Sequence, residues 1–190
     1  MGEFYVNYVI RSDDRSAVVA ALQGRKALVT PVQQGCVLAT NEESIFQDGK
    51  EIENLTCFLS LRLSCPVLAF IMHDGDLLCY CLAQEGAIDH SYTSCFGYFD
   101  AKLGDLPRGG NARALCSAFG SPEHERVEHI LRNPRSSDEH DHYSGSYFAS
   151  ERHADLVAAL GIPAFSVGFG YNHGGFLPDG FTEDELIHTD

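Results

Sequence analysis

One run, Pro66-Val67-Leu68-Ala69-Phe70-Ile71-Met72, limits the possible folds of this chain more than any other segment. Apolar residues fill both alternating sets. Val67, Ala69 and Ile71 would point to one side of a strand, and Leu68, Phe70 and Met72 to the other. A strand apolar on both sides must be covered on both sides. Pro66 bars a helix and opens the strand. The chain therefore needs a central strand with a packing layer on each face.

The surrounding pattern supplies neighbours for it. Glu3 to Ile10 alternates as a strand rich in aromatic and β-branched residues. Ser12 is expected to cap a helix running to about Gln23 and closed by Gly24, with Ala17, Val18, Ala21 and Leu22 on its apolar face. Strands at Ala27–Val32 and Cys36–Thr40 flank a Gln33-Gln34-Gly35 turn. A polar stretch, Asn41 to Gly49, leads to a helix from Lys50 to Leu63 with Ile52, Leu55, Phe58, Leu59 and Leu63 as its buried stripe. After the central strand, His73-Asp74-Gly75-Asp76 turns into LLCYCLAQ, and Glu85-Gly86 turns into Ala87–Thr93.

The remainder reads as a long ordered loop, Ser94–Gly110, in which Phe96, Tyr98 and Phe99 are too apolar to be left in water. Three helices follow. Asn111 caps one ending at Phe119. Ser121-Pro122 starts another that ends near Asn133. The third spans Ser146–Leu160 and is closed by Gly161. A strand-like run, Ala164–Phe169, then precedes a glycine-rich turn and a short acidic tail. The order β-α-β-β-α-β-β-β followed by helices predicts an α+β fold with a mixed, mainly antiparallel sheet. Residues 1–190 are expected to form a single domain, with a strand-rich half, 1–95, and a helix- and loop-rich half, 96–190, packed on it.

Charge narrows the partners. Asp and Glu number 27 against 13 Lys and Arg, a formal net charge of −14 over 190 residues. Such a field repels nucleic acid and anionic membrane surfaces and attracts basic proteins. No apolar run is long enough to span a bilayer. The first residues carry Glu3 where a secretion signal has positive charge, and seven irregularly spaced cysteines sit mostly in apolar runs. Both point to a cytoplasmic protein with reduced thiols.

Motifs for chemistry are weak. Asp138-Glu139-His140-Asp141-His142-Tyr143 offers ligand types for a metal. Neighbouring loop residues seldom all reach one ion, so His140 and His142 are the weak candidates in a chain expected to hold no metal and no other cofactor. Cys79 and Cys81 share a strand face near His73, His90 and Cys95, in a setting that favours core packing over a zinc site. Cys95 with His90 and Asp100 is the least implausible nucleophilic set. The glycines from Gly168 to Gly175 lack the basic residue that a phosphate loop needs.

These features favour recognition over catalysis. The expected protein is an acidic binder of a basic protein partner, of the kind that neutralises a basic toxin or serves as a regulatory module. Tyr98, Asp100, Glu139, Asp141 and Tyr143 are the candidate contacts, aromatic area set among carboxylates. The alternative is a small hydrolase-like enzyme with its site in the 94–100 or 138–143 loop.

Overall fold

The computed structural model describes residues 3–104, 106–133, 148–172 and 181–190. In chain order, β1 is Tyr5–Ile10, α1 Arg15–Ala21, β2 Ala27–Val29, β3 Val37–Asn41, α2 Gly49–Leu63, β4 Val67–His73, β5 Leu77–Gln84 and β6 Ala87–Thr93. After these come β7 (Arg108–Gly109), α3 (Ala112–Phe119), α4 (His124–Arg132), α5 (Ala149–Leu160) and β8 (Ile187–Thr189). The strands form one eight-stranded sheet in the order β7-β6-β5-β4-β1-β3-β2-β8. Each described pairing is antiparallel. The α+β class with a mainly antiparallel sheet is thus observed.

β4 lies between β1 and β5, and Val67, Leu68, Ala69, Phe70 and Met72 are all buried. Its two faces feed two separate cores. Val67 and Ala69 join Val6, Tyr8 and Ile10 of β1 and Ile52, Leu55 and Leu59 of α2. Leu68, Phe70 and Met72 join Tyr80 and Leu82 of β5 and the apolar faces of α3, α4 and α5. The sheet is therefore sandwiched, with α1 and α2 on one face and α3–α5 on the other. No helix among the described residues is long and apolar enough to cross a membrane.

Turn chemistry sets the register of the hairpins. Gln34-Gly35, Asp74-Gly75 and Glu85-Gly86 all carry positive φ at both residues. A type I′ turn demands this, and its twist matches that of the flanking strands. Cys36 N–H and Gln33 N–H each donate to the other's carbonyl at 2.9 Å across the first turn.

Several local expectations are corrected. Asp14, not Ser12, caps α1, accepting from Ala17 N–H at 2.9 Å, while Ser12 Oγ accepts from Asp14 N–H. Glu123, not Ser121, holds the cap position of α4, and Ser121 Oγ accepts from Glu123 N–H. Both serines bond the N–H two residues on, a local turn that competes with capping. Phe58 is exposed over the Arg25 guanidinium, and the buried stripe of α2 is Ile52, Leu55, Thr56, Leu59 and Ser60. Position 58 is six residues from Ile52, about 120° round the helix from it.

Ala164–Phe169 is not a strand. Ala164–Ser166 forms a 3-10 turn whose surroundings are fixed by buried Asn7 of β1, which donates to Ser166 O at 2.7 Å and Phe169 O at 2.8 Å. The acidic tail ends in β8, which pairs with β2 from Ala27↔Thr189 to Val29↔Ile187. Thr189 Oγ donates to Arg25 O at 2.6 Å, and Gly24 N–H donates to Asp190 O at 2.7 Å.

All seven cysteines carry free thiols. Cys36, Cys81, Cys95 and Cys116 are buried, and Cys57, Cys65 and Cys79 are half-buried. Thiol titration in denaturant without reductant should therefore count seven groups. Under native conditions the four buried thiols should react slowly, since reagent reaches them only through opening of the fold. A count of five or fewer in denaturant would show that bridges form.

A candidate binding cleft at the open end of the sheet

α2 starts abruptly, and that start creates the site. Asp48 caps the helix, its carboxylate accepting from Lys50 N–H at 2.9 Å and Glu51 N–H at 3.2 Å. The helix covers the strands up to this point and no further. Ala69 and Cys81, facing partners on β4 and β5, are buried. One step toward the end of the sheet, Ile71 and Cys79 are only half-buried. The next pair is His73 and Leu77.

This uncovered end is a cleft of about 420 Å³. Ile71, His73, Leu77 and Cys79 form its floor. Phe4, Phe46 and Phe99 form its walls. Phe46 is 84% exposed, Phe99 77% and Phe4 54%. Large apolar side chains gathered this openly mark a surface that another molecule covers more often than a random scatter does.

His73 is held firmly in the floor. Gln47 donates from Nε2 to Met72 O at 2.7 Å, which fixes the orientation of its amide. Its Oε1 then faces His73 Nδ1 at 2.6 Å. An amide oxygen can only accept, so Nδ1 carries the proton and, in the neutral ring, Nε2 keeps its lone pair. Nε2 has no hydrogen-bond partner among the described residues. Three rings stand edge-on to the imidazole: Phe4 at 4.8 Å, Phe99 at 5.2 Å and Tyr98 at 5.7 Å. Gln47 occupies a left-handed backbone conformation, φ 52°, after the 3-10 helix Glu42–Phe46. Such a conformation costs a non-glycine residue about 1 kcal/mol or more, and the two side-chain bonds of Gln47 offset it.

The loop that carries Phe99 is ordered by its own bonds. Gly97 N–H donates to Gly104 O at 2.7 Å and Phe96 N–H to Leu106 O at 3.2 Å. A Cβ on Gly97 would stand 2.6 Å from Gly104 O, so the loop closes this tightly only with glycine there. The Arg108 guanidinium lies 3.7 Å above the Phe96 ring. Phe99 was expected to be packed away from water; the loop instead presents it outward on a fixed frame.

Acids neighbour several of the cleft's residues along the sequence. Glu3 adjoins Phe4, Asp48 adjoins Gln47, Asp74 and Asp76 flank the turn between His73 and Leu77, and Asp100 adjoins Phe99. The bases in the same segments are Lys50 and Lys102.

Of the residues singled out from sequence, Tyr98 is brought against His73 of this cleft, and Asp100 follows Phe99 in the same loop, its carboxylate accepting from Lys102 N–H at 3.1 Å. Glu139, His140, Asp141, His142 and Tyr143 lie outside the described residues. Sequence reasoning missed Phe4, Phe46, Gln47 and His73 as a group. The available signal was Ile45-Phe46, an apolar pair inside an otherwise polar stretch.

The other candidate chemistries gain no geometry. His90 lies opposite Leu82 on the α3–α5 face, its ring edge-on to Tyr80 at 5.6 Å. Cys95 is buried beyond the far end of the same strand, five residues away, about 15 Å along an extended chain. An imidazole there cannot take the thiol proton. Burial also pushes the Cys79 thiol up, Cys65 up to about 11 and Cys81 up to about 12, so these groups stay protonated and poorly nucleophilic. Among the described residues, no three or more His, Cys, Asp or Glu are gathered to hold a metal ion. Compared with protein-family models, curated proteins and solved structures, the chain gives no match.

Proposed function

We propose that this protein is a recognition module that binds a basic protein partner, and that the contact surface is the aromatic cleft at the open end of the sheet. The observation that supports this most strongly is the gathering of exposed Phe4, Phe46 and Phe99 around one cleft, on a protein of net charge −14. Aromatic area supplies binding energy once it is desolvated, and the carboxylates select the sign of the partner and raise its on-rate. Tyr98 and Asp100 contribute from the loop edge. A cytoplasmic setting with reduced thiols fits the same reading.

A short peptide alternating lysine with glycine is a suitable probe. Its association rate should fall steeply as salt rises, because steering between opposite charges is screened within about 10 Å at 0.1 M salt. Phe99→Ala should weaken binding by about tenfold or more, as loss of a central aromatic anchor does. Phe99 is exposed, so the fold should be unaffected, and thermal melting checks this. Binding that ignores both salt and the Phe99 change would remove the proposal.

A further inference from the structure

Apart from its aromatic walls, the cleft offers one hydrogen-bonding group whose role is fixed by the fold. In the neutral His73 ring, Gln47 holds the proton on Nδ1 and leaves Nε2 as the acceptor, on a side chain that lines the cleft. An acceptor among aromatic rings suits a ligand that brings an N–H, and the net charge of −14 suits one that brings positive charge. The group that supplies both is an ammonium or guanidinium.

Resting on the recognition reading above, we infer that the cleft is a pocket for a single lysine or arginine side chain of the basic partner. The cationic head donates an N–H to His73 Nε2, and its methylenes lie against Phe46 and Phe99. This goes further than general charge attraction, because it requires the N–H itself. A quaternary ammonium carries the same charge and meets the same rings but has no proton to donate. Aromatic cages that work by cation–π attraction alone accept such groups; this cleft should discriminate against them. Gln47 is a positioning residue, since it acts by setting the tautomer of His73.

The test compares two peptides of equal charge, the lysine–glycine repeat and its counterpart in which every lysine is Nε-trimethylated. The wild-type protein should bind the unmodified peptide about tenfold tighter, the margin expected for one charge-assisted hydrogen bond. His73→Phe keeps a ring among Phe4, Tyr98 and Phe99 but removes the acceptor. It should bind both peptides alike, at the affinity wild type shows for the trimethylated one. That retained binding also demonstrates a folded variant. Gln47→Ala should shrink the preference for the unmodified over the trimethylated peptide. Nitrogen-15 spectra of the wild-type histidines should show His73 protonated at Nδ1 in its neutral form, with the Nε2 resonance moving on addition of the lysine peptide only. Equal or tighter binding of the trimethylated peptide by wild type overturns the inference and leaves the basic-partner reading standing. Failure of both peptides to bind wild type at low salt removes that reading, and the inference with it.

Discussion

Replacing Phe70 by alanine should destabilise the protein by about 3–5 kcal/mol, the range for deleting a fully buried aromatic ring and leaving a cavity behind. Phe70 is 0% exposed at the middle of β4. Its ring meets Tyr80 edge-on at 6.3 Å and the His153 imidazole at 4.1 Å. The aromatic neighbours come from both a strand and a helix, so collapse into the gap would disturb two layers at once. For a chain of this size the loss corresponds to a melting point lower by roughly 10 °C. Phe99→Ala is the matching control, an aromatic of the same size standing in water. A Phe70→Ala protein that melts with wild type would contradict the placement of this strand.

Acid should unfold the protein earlier than its surface charge alone requires, through His153. The side chain is fully buried on α5, and burial lowers its pKa from 6.5 to about 3. Nδ1 pairs with the Tyr5 hydroxyl at 2.7 Å, and Nε2 has no partner among the described residues. The unfolded chain takes up a proton near pH 6.5, whereas the folded one does so only near pH 3. The stability due to this group is therefore complete above pH 6.5 and drains away as pH falls toward 3. The slope approaches 1.4 kcal/mol per pH unit, or about 2 kcal/mol by pH 5. Denaturant titrations at pH 7.5 and pH 5 should show that difference in wild type. In His153→Gln, which keeps a polar partner for Tyr5 but cannot titrate, the drop should be smaller by about the same amount. An unchanged pH dependence in the variant would show that His153 is not held neutral.

Legibility differed by the range of the physics involved. The apolar run of β4 and the X-Gly turns act within a few residues, and both appear in the structure as the sequence implies. The starts of α1 and α4 were off by two residues because Ser12 and Ser121 make short turns that look like caps on paper, whereas Asn111 caps α3 as its sequence implies. β8 was hidden because Ile187 and Thr189, although β-branched, sit among acids, and their partners lie about 160 residues upstream. The cleft was the least legible part. Phe4, Phe46, His73 and Phe99 come from four separate segments, and no local pattern records that α2 stops short of the end of β4. Tyr98, which meets His73, was singled out from sequence because its loop sets aromatic residues beside Asp100. Even there, the direction of Phe99 depended on a hydrogen bond from Gly97 to Gly104 that composition does not disclose.

The pairing of β2 with β8 bears on how the protein is made. During synthesis, β2 emerges early, but its outer edge has no neighbour until residues 187–189 have left the ribosome. Meanwhile Ala27–Val29 presents an unsatisfied row of backbone groups, the kind of edge at which chains associate wrongly. Contacts this distant along the chain also slow folding, since a large loop must close before the pairing stabilises anything. A nascent chain paused before residue 187 would therefore carry a complete helix α2 and a complete β4 beside one open seam, and that seam is where a chaperone would be needed.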